Sequence, residues 1–149
     1  MRYLAMALVY ALVSGCSSLG SSKPDPMAPI QDVSYKQLIQ PAFANDFANK
    51  RVRFDAAFFA TMNLVMDLPS KYQDQVRIHL CSSSNPPQCS NPYYDVLIAK
   101  EKSTPIFDIR QGANVRITAL AVPIKAIAAL SGGSSKKLLL LVESIEAGK

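Results

Sequence analysis

Five stretches of the chain have the pattern of β-strands, and in three of them apolar and polar residues alternate with a period of two. The longest begins at Arg51, where Val52, Phe54, Ala56, Phe58, Ala60 and Met62 fall on one side. Such alternation is typical of a β-strand with one buried face. The sequence therefore predicts five strands, at residues 51–62, 75–81, 93–100, 114–122 and 136–145. The run 138–142 is apolar on both faces, which predicts that both are covered.

Two regions have helical rather than strand periodicity. Residues 31–49 carry Ser34 as a candidate N-cap and place Tyr35, Leu38, Phe43 and Phe47 inward, with Pro41 ending the first helix. A short helix is also predicted after Ser103-Thr104-Pro105, between the third and fourth strands. Pro123 is expected to end the fourth strand, and residues 124–130 are expected to form an apolar helix or one side of a hairpin.

The N-terminus has the pattern of an export signal. Arg2 precedes an uncharged apolar run of eleven residues, 3–13, which is short of the ~20 that span a bilayer as a helix. The run closes on Val13-Ser14-Gly15-Cys16, which resembles the lipobox of bacterial lipoproteins. The resemblance implies a signal peptide at residues 1–15 and lipidation of Cys16. Ser17, rather than Asp, then implies an outer-membrane location facing the periplasm; the alternative is an ordinary signal peptide with an incidental cysteine.

Residues 16–30 follow as the acylated cysteine and a flexible tether, because Ser, Gly and Pro dominate them. Residues 31–149 are then expected to form one domain. The chain has 149 residues, is 49% hydrophobic and carries a formal charge of +5. A basic excess of this size suits anionic head groups or acidic partners. It is too small to indicate nucleic acid by itself.

Cys81 and Cys89 remain once Cys16 is assigned to lipid. In an exported protein a disulfide between them is the expected state, since their loop is short and their compartment is oxidising. Zinc binding and redox chemistry are the alternatives. Two cysteines and the single His79 leave a tetrahedral zinc site one ligand short, and the seven residues between the cysteines do not match a Cys-x-x-Cys redox motif. We therefore expect no metal and no cofactor.

Four segments resemble an OB-fold, which is a small five-stranded β-barrel. They are Lys50-Arg51-Val52-Arg53-Phe54, Tyr94-Asp95-Val96-Leu97-Ile98, the Gly112-Ala113-Asn114-Val115-Arg116-Ile117 strand entry, and the terminal Leu140-Leu141-Val142-Glu143-Ser144-Ile145-Glu146. The resemblance implies a mainly β domain, with the helical region 31–49 as an added preface. An open sandwich with as many strands is the structural alternative.

One face of the predicted barrel is the candidate binding surface. It carries Arg51, Arg53, Phe59, Arg77, His79 and Tyr93, with Lys100 and Arg116 as further cations. OB-folds bind oligonucleotides and oligosaccharides on such a face, where aromatic rings stack on the ligand. The alternative is a set of solvated charges that protects strand edges.

No catalytic residues are predicted, because His79 has no evident partner and the sequence has no phosphate-binding loop. The sequence instead favours a membrane-anchored, non-catalytic module that binds an envelope protein or glycan. One alternative is an assembly subunit that docks through residues 124–130. The other is a binder of single-stranded nucleic acid, for which affinity would fall steeply with salt.

Overall fold

The computed structural model describes residues 25–62, 70–82, 89, 91–126 and 135–148. The predicted signal peptide, Cys16 and most of the predicted tether lie outside the described residues. Within the described ranges, no helix is long and apolar enough to cross a membrane.

Six strands and two short α-helices make up the described chain. The strands are β1 Ile30–Asp32, β2 Arg51–Met62, β3 Gln75–Cys81, β4 Tyr93–Ala99, β5 Asn114–Ala126 and β6 Ser135–Ala147. The helices are α1 Tyr35–Leu38 and α2 Ala44–Phe47, and 3₁₀ turns cover Pro41–Phe43, Ser70–Tyr72, Lys100–Lys102 and Thr104–Asp108.

Five of the strands close into a barrel. β2 pairs antiparallel with both β3 and β5, β3 with β4, and β5 with β6, while β4 and β6 run parallel and complete the circle. The order β2-β3-β4-β6-β5-β2 is that of the OB-fold, so the predicted barrel is confirmed and the open sandwich is wrong. Closure leaves few unpaired strand edges.

The barrel interior is filled by the inward positions of the alternating pattern. Val52, Phe54, Ala56 and Phe58 of β2 are 0–5% exposed and meet fully buried residues such as Ile78 and Ile117. A second apolar cluster lies outside the barrel, where Leu97 and Leu139 are buried beneath Tyr72. This outer cluster explains why residues 138–142 are apolar on both faces.

The helical preface forms as predicted, although a strand precedes it. Ser34 caps α1 through a reciprocal capping box with Gln37. Tyr35, Leu38 and Phe47 pack into the barrel core. The predicted tether nevertheless ends earlier than residue 30, because Ile30–Asp32 forms β1 and pairs parallel with the start of β2.

One local prediction is wrong. β5 continues through Pro123 to Ala126 instead of ending at the proline. Its pairing with β2 ends at Leu120, so beyond Ala121 only β6 lies beside it, and proline is tolerated on such a strand edge. Residues 124–126 form one side of the β5–β6 hairpin, which was one of the two predicted alternatives, and residues 127–130 lie outside the described chain. The short helix predicted between the third and fourth barrel strands is the 3₁₀ helix Thr104–Asp108, and a second 3₁₀ turn, Lys100–Lys102, precedes it.

Candidate ligand-binding face

Three aromatic rings meet on the outer surface of β2, β3 and β4. The ring centroid of His79 lies 4.8 Å from that of Phe59 and 4.4 Å from that of Tyr94. We call Phe59, His79 and Tyr94 the aromatic cluster. Phe59 and His79 are half-buried, whereas Tyr94 is 41% exposed. The Tyr94 ring is therefore accessible from solvent, and its contact with His79 holds it in place.

Two β-bulges build this cluster. Between β2 and β3 the register passes from Phe58↔Leu80 to Ala60↔His79, which leaves Phe59 as an extra residue. Between β3 and β4 it passes from Ile78↔Val96 to Leu80↔Tyr93, so Tyr94 and Asp95 together face His79. A bulge re-aims side chains and is common beside functional sites. The two bulges lie on either side of His79 and bring one aromatic residue from each neighbouring strand to it.

Arg77 fixes the β4 bulge from the adjacent strand. Its Nε donates to the Tyr94 carbonyl at 2.7 Å, and its Nη2 lies 2.8 Å from Asp95 Oδ1. The two side chains are only 8% and 15% exposed. Arg77 was predicted to present its charge to a ligand, but the structure buries it in an ion pair, so it acts as a positioning residue for Tyr94.

A disulfide lies against the third side of His79. Cys81, at the end of β3, is bonded to Cys89, as predicted, with the Cα atoms 5.2 Å apart. His79 Nε2 lies 3.4 Å from Cys89 Sγ and 3.8 Å from Cys81 Sγ. Burial of the imidazole lowers the pKa of His79 below its usual value, because the cation is poorly solvated there. The neutral ring that results suits stacking between two aromatic neighbours.

Tyr93, which was predicted to lie on the binding face, is not part of the cluster. Its hydroxyl donates to the carbonyl of Leu138 on β6, and burial raises its pKa. Strict alternation along β4 would place Tyr93 on the outer face and Tyr94 on the inner face. The bulge exchanges the faces on which the two side chains lie. The adjacent Tyr-Tyr pair was the available signal, because one of two neighbours in a strand must face outward.

Arg51 and Arg53 lie apart from the aromatic cluster, in the first half of β2. There they line a shallow groove of about 530 Å³ together with Arg116 and Glu143, which we call the ionic groove. Arg51 binds Glu143 through two nitrogens, at 3.0 and 2.7 Å, and donates to the Ala28 carbonyl. The predicted single basic face is therefore divided into two separate surfaces.

The arginines of the ionic groove are paired with carboxylates. Arg116 binds both carboxylate oxygens of Asp55, at 2.8 and 3.0 Å, and lowers the pKa of that carboxyl. Arg53 lies 3.9 Å from Asp32. Three arginines (Arg51, Arg53 and Arg116) and four carboxylates (Asp32, Asp55, Glu143 and Glu146) line the ionic groove and the groove adjoining it, for a formal charge of −1 over the two together. A polyanion gains little from such a surface.

Comparison with known proteins gives likenesses of structure only. No family model and no curated protein matches the chain. An aspartyl-tRNA synthetase of Leishmania major is 14% identical, with a TM-score of 0.47 over 88% of this chain and 22% of the synthetase. The mitochondrial single-stranded DNA binding protein Rim1 of S. cerevisiae is 17% identical, with a TM-score of 0.43 over 70% of this chain and 99% of Rim1.

A third similar structure is the Stn1-Ten1 complex of S. pombe, which is 10% identical, with a TM-score of 0.40 over 66% of this chain and 58% of that one. All three identities are below 25% and all three TM-scores are below 0.5. What those proteins bind is therefore not evidence for this chain, whose fold is defined by its own strand order.

Proposed function

We propose that this protein is a lipid-anchored, non-catalytic binding module of the bacterial envelope. Its partner, an envelope protein or glycan, binds on the aromatic cluster of Phe59, His79 and Tyr94. The observation that carries the proposal is the exposed Tyr94 ring, which lies 4.4 Å from His79 on a bulge clamped by a buried ion pair. The lipobox resemblance supports the location.

The construction of the cluster favours binding. Stacking on a ring that is already fixed costs little conformational entropy, which is the general advantage of preorganisation. Arg77 fixes the Tyr94 backbone, and the disulfide fixes the end of β3 beside His79. Tyrosine also combines a large apolar face with a polar hydroxyl, so it is enriched where proteins meet partners. This is also the face through which OB-folds bind chain-like ligands.

The charges favour a neutral or weakly charged partner. A nucleic-acid surface needs cations free to neutralise phosphates. Arg51, Arg77 and Arg116 instead each lie within 2.8 Å of a carboxylate oxygen of the same chain. A sugar polymer or a polypeptide binds by stacking and hydrogen bonds, and it does not need these arginines to be released.

Single-stranded nucleic acid is the second candidate, and the aromatic cluster favours it too. Bases stack on aromatic side chains of OB-folds irrespective of their sequence. The two candidates differ in salt dependence, because phosphate binding weakens steeply as salt rises and stacking on a neutral partner does not.

Capture from envelope extract tests the proposal. The full chain, held in detergent, is immobilised as the wild type, Phe59→Ala and Tyr94→Ala, with Phe107→Ala as the matched control, since Phe107 is 68% exposed and outside the cluster. Loss of a central aromatic anchor costs about 2 kcal/mol or more, or roughly 30-fold in affinity. Only the two cluster variants should lose capture.

The class of the partner follows from pretreating the extract with a protease, a glycan hydrolase or a nuclease. Loss of capture after either of the first two supports the proposal. Loss after nuclease alone, together with a steep salt dependence, overturns it in favour of the second candidate. Equal capture by Tyr94→Ala and the wild type removes the aromatic cluster as the binding surface.

The anchor is tested separately by metabolic labelling with palmitate. We expect label in the wild-type chain and none in Cys16→Ser, which should also leave the membrane fraction. Label that persists in Cys16→Ser contradicts lipidation at this residue.

A further inference from the structure

His79, Cys81 and Cys89 bring one nitrogen and two sulfur atoms within 4.8 Å of one another. In the oxidised chain the two sulfurs are bonded to each other, so they are not available as thiolate ligands. The proposed partner binding makes use of the His79 ring and leaves the chemistry of the sulfurs unexplained.

The distances around His79 already match those of a metal site. Zinc binds histidine nitrogen at about 2.0–2.1 Å and cysteine sulfur at about 2.3 Å, so tetrahedral geometry separates the two ligand atoms by about 3.5 Å. His79 Nε2 lies 3.4 Å from one sulfur and 3.8 Å from the other. Only the sulfur–sulfur separation has to change, to about 3.8 Å in the same geometry.

We infer that reduction of the Cys81–Cys89 disulfide creates a zinc site formed by His79 Nε2, Cys81 Sγ and Cys89 Sγ. This inference does not rest on the proposed partner. Reduction takes two electrons and two protons from a dithiol, which is itself oxidised to a disulfide. Zinc then displaces one proton from each thiol as it binds, and a water molecule takes the fourth position, as in sites with three protein ligands.

The net charge of the site supports this chemistry. Zn²⁺ with two thiolates and a neutral imidazole has no net charge, which suits Cys81, a residue only 2% exposed. Cys89 and His79 are half-buried, which leaves the site accessible.

Zinc titration of the full chain tests the inference. The protein is reduced with a water-soluble phosphine, which becomes the phosphine oxide, and is titrated with Zn²⁺ against a chromophoric chelator. We expect one Zn²⁺ per reduced chain and none for the oxidised chain. His79→Gln should bind at least 10-fold more weakly, and Cys89→Ser at least 100-fold. Cobalt should give the visible bands of a tetrahedral site with thiolate ligands.

Cys16→Ser is the control for the third cysteine of the chain, and it should bind zinc as the wild type does. Zinc that binds only the reduced form must also favour reduction. At a zinc concentration 100 times the Kd, the reduction potential should become about 60 mV more positive, since tenfold corresponds to about 30 mV.

Three results overturn the inference: zinc binding that does not depend on reduction, no binding after reduction, or His79→Gln binding as tightly as the wild type. Should reduction unfold the chain, zinc must restore the native circular dichroism, and failure to do so overturns it as well. Partner capture by the oxidised chain is unaffected by any of these results, so the two proposals are tested independently.

Discussion

Tyr93 and Tyr94 are neighbours in sequence with different roles. The Tyr93 hydroxyl donates to the Leu138 carbonyl, and the register partner of Leu138 is Pro123, which has no N–H to donate. The Tyr93 hydroxyl therefore gives the Leu138 carbonyl a hydrogen-bond donor at a position where its register partner, Pro123, has none. Tyr94 points into solvent and supplies a ring surface.

This difference predicts that the same substitution affects stability strongly at position 93 and weakly at position 94. Tyr93→Phe leaves a buried carbonyl without that donor and should lower the free energy of unfolding by about 1–3 kcal/mol. Tyr94→Phe keeps the ring and should change the free energy of unfolding by less than about 0.5 kcal/mol. Urea unfolding of the two variants measures this, and equal stability of the two would contradict the assignment.

Among the structural elements, the bulged strand β4 is held by the buried side chain of Arg77 on the adjacent strand. Arg77 and Asp95 form an ion pair that is largely shielded from water, and Arg77 also binds the bulge carbonyl of Tyr94. Removing one member of such a pair leaves an uncompensated buried charge, whereas removing an exposed pair costs little.

Arg77→Met should therefore lower the free energy of unfolding by about 3–5 kcal/mol. Its matched control is Arg116→Met, which breaks the exposed pair with Asp55 and should cost about 0–1 kcal/mol. The double variant Arg77→Met with Asp95→Leu should recover much of the loss. Urea unfolding compares the three, and similar values for the two single variants would show that burial of the pair is unimportant.

Most of these structural elements could be predicted from the sequence alone. Period-two alternation located β2, β3 and β5, and apolar runs located β4 and β6. The capping and proline signals located the preface with its inward Tyr35, Leu38 and Phe47. The bulges were not predictable, because a one-residue slip depends on the register of two strands and leaves no mark in either one.

The ion pairs were unpredictable for a related reason. Glu143 is 92 residues from Arg51, and only barrel closure brings them together. Arginines that looked like a basic face in the sequence are neutralised by carboxylates from distant strands. The aromatic members Phe59 and His79 were predicted, and the bulge replaced Tyr93 with Tyr94.

Over the whole molecule, two buried tyrosine hydroxyls join elements that are far apart in sequence. Tyr35 of α1 donates to the Asn91 carbonyl at 2.7 Å and also lies 3.1 Å from the Leu80 carbonyl. Tyr93 joins β4 to β6. Burial raises the pKa of both phenols, because the anion would be poorly solvated.

The raised pKa values of these two phenols predict that the stability of the folded chain depends on pH. Since the folded chain holds these two protons more tightly than the unfolded chain, their stabilising effect is complete below about pH 10, the usual tyrosine pKa, and is lost as pH rises further. The free energy of unfolding should therefore fall as the pH rises above about 10. The fall should be smaller in Tyr35→Phe. Denaturation at several pH values measures it, and an unchanged slope in Tyr35→Phe would contradict this role.

Photo-crosslinking in living cells tests whether partners bind the aromatic cluster. A benzophenone amino acid replaces Tyr94 in the full chain, and the same replacement of Phe107, another exposed aromatic residue, is the control. We expect a covalent adduct with an envelope protein or glycan at position 94, none at position 107, and loss of the adduct when Phe59→Ala is added. Adducts at position 107 alone, or equal adducts at both positions, would contradict it.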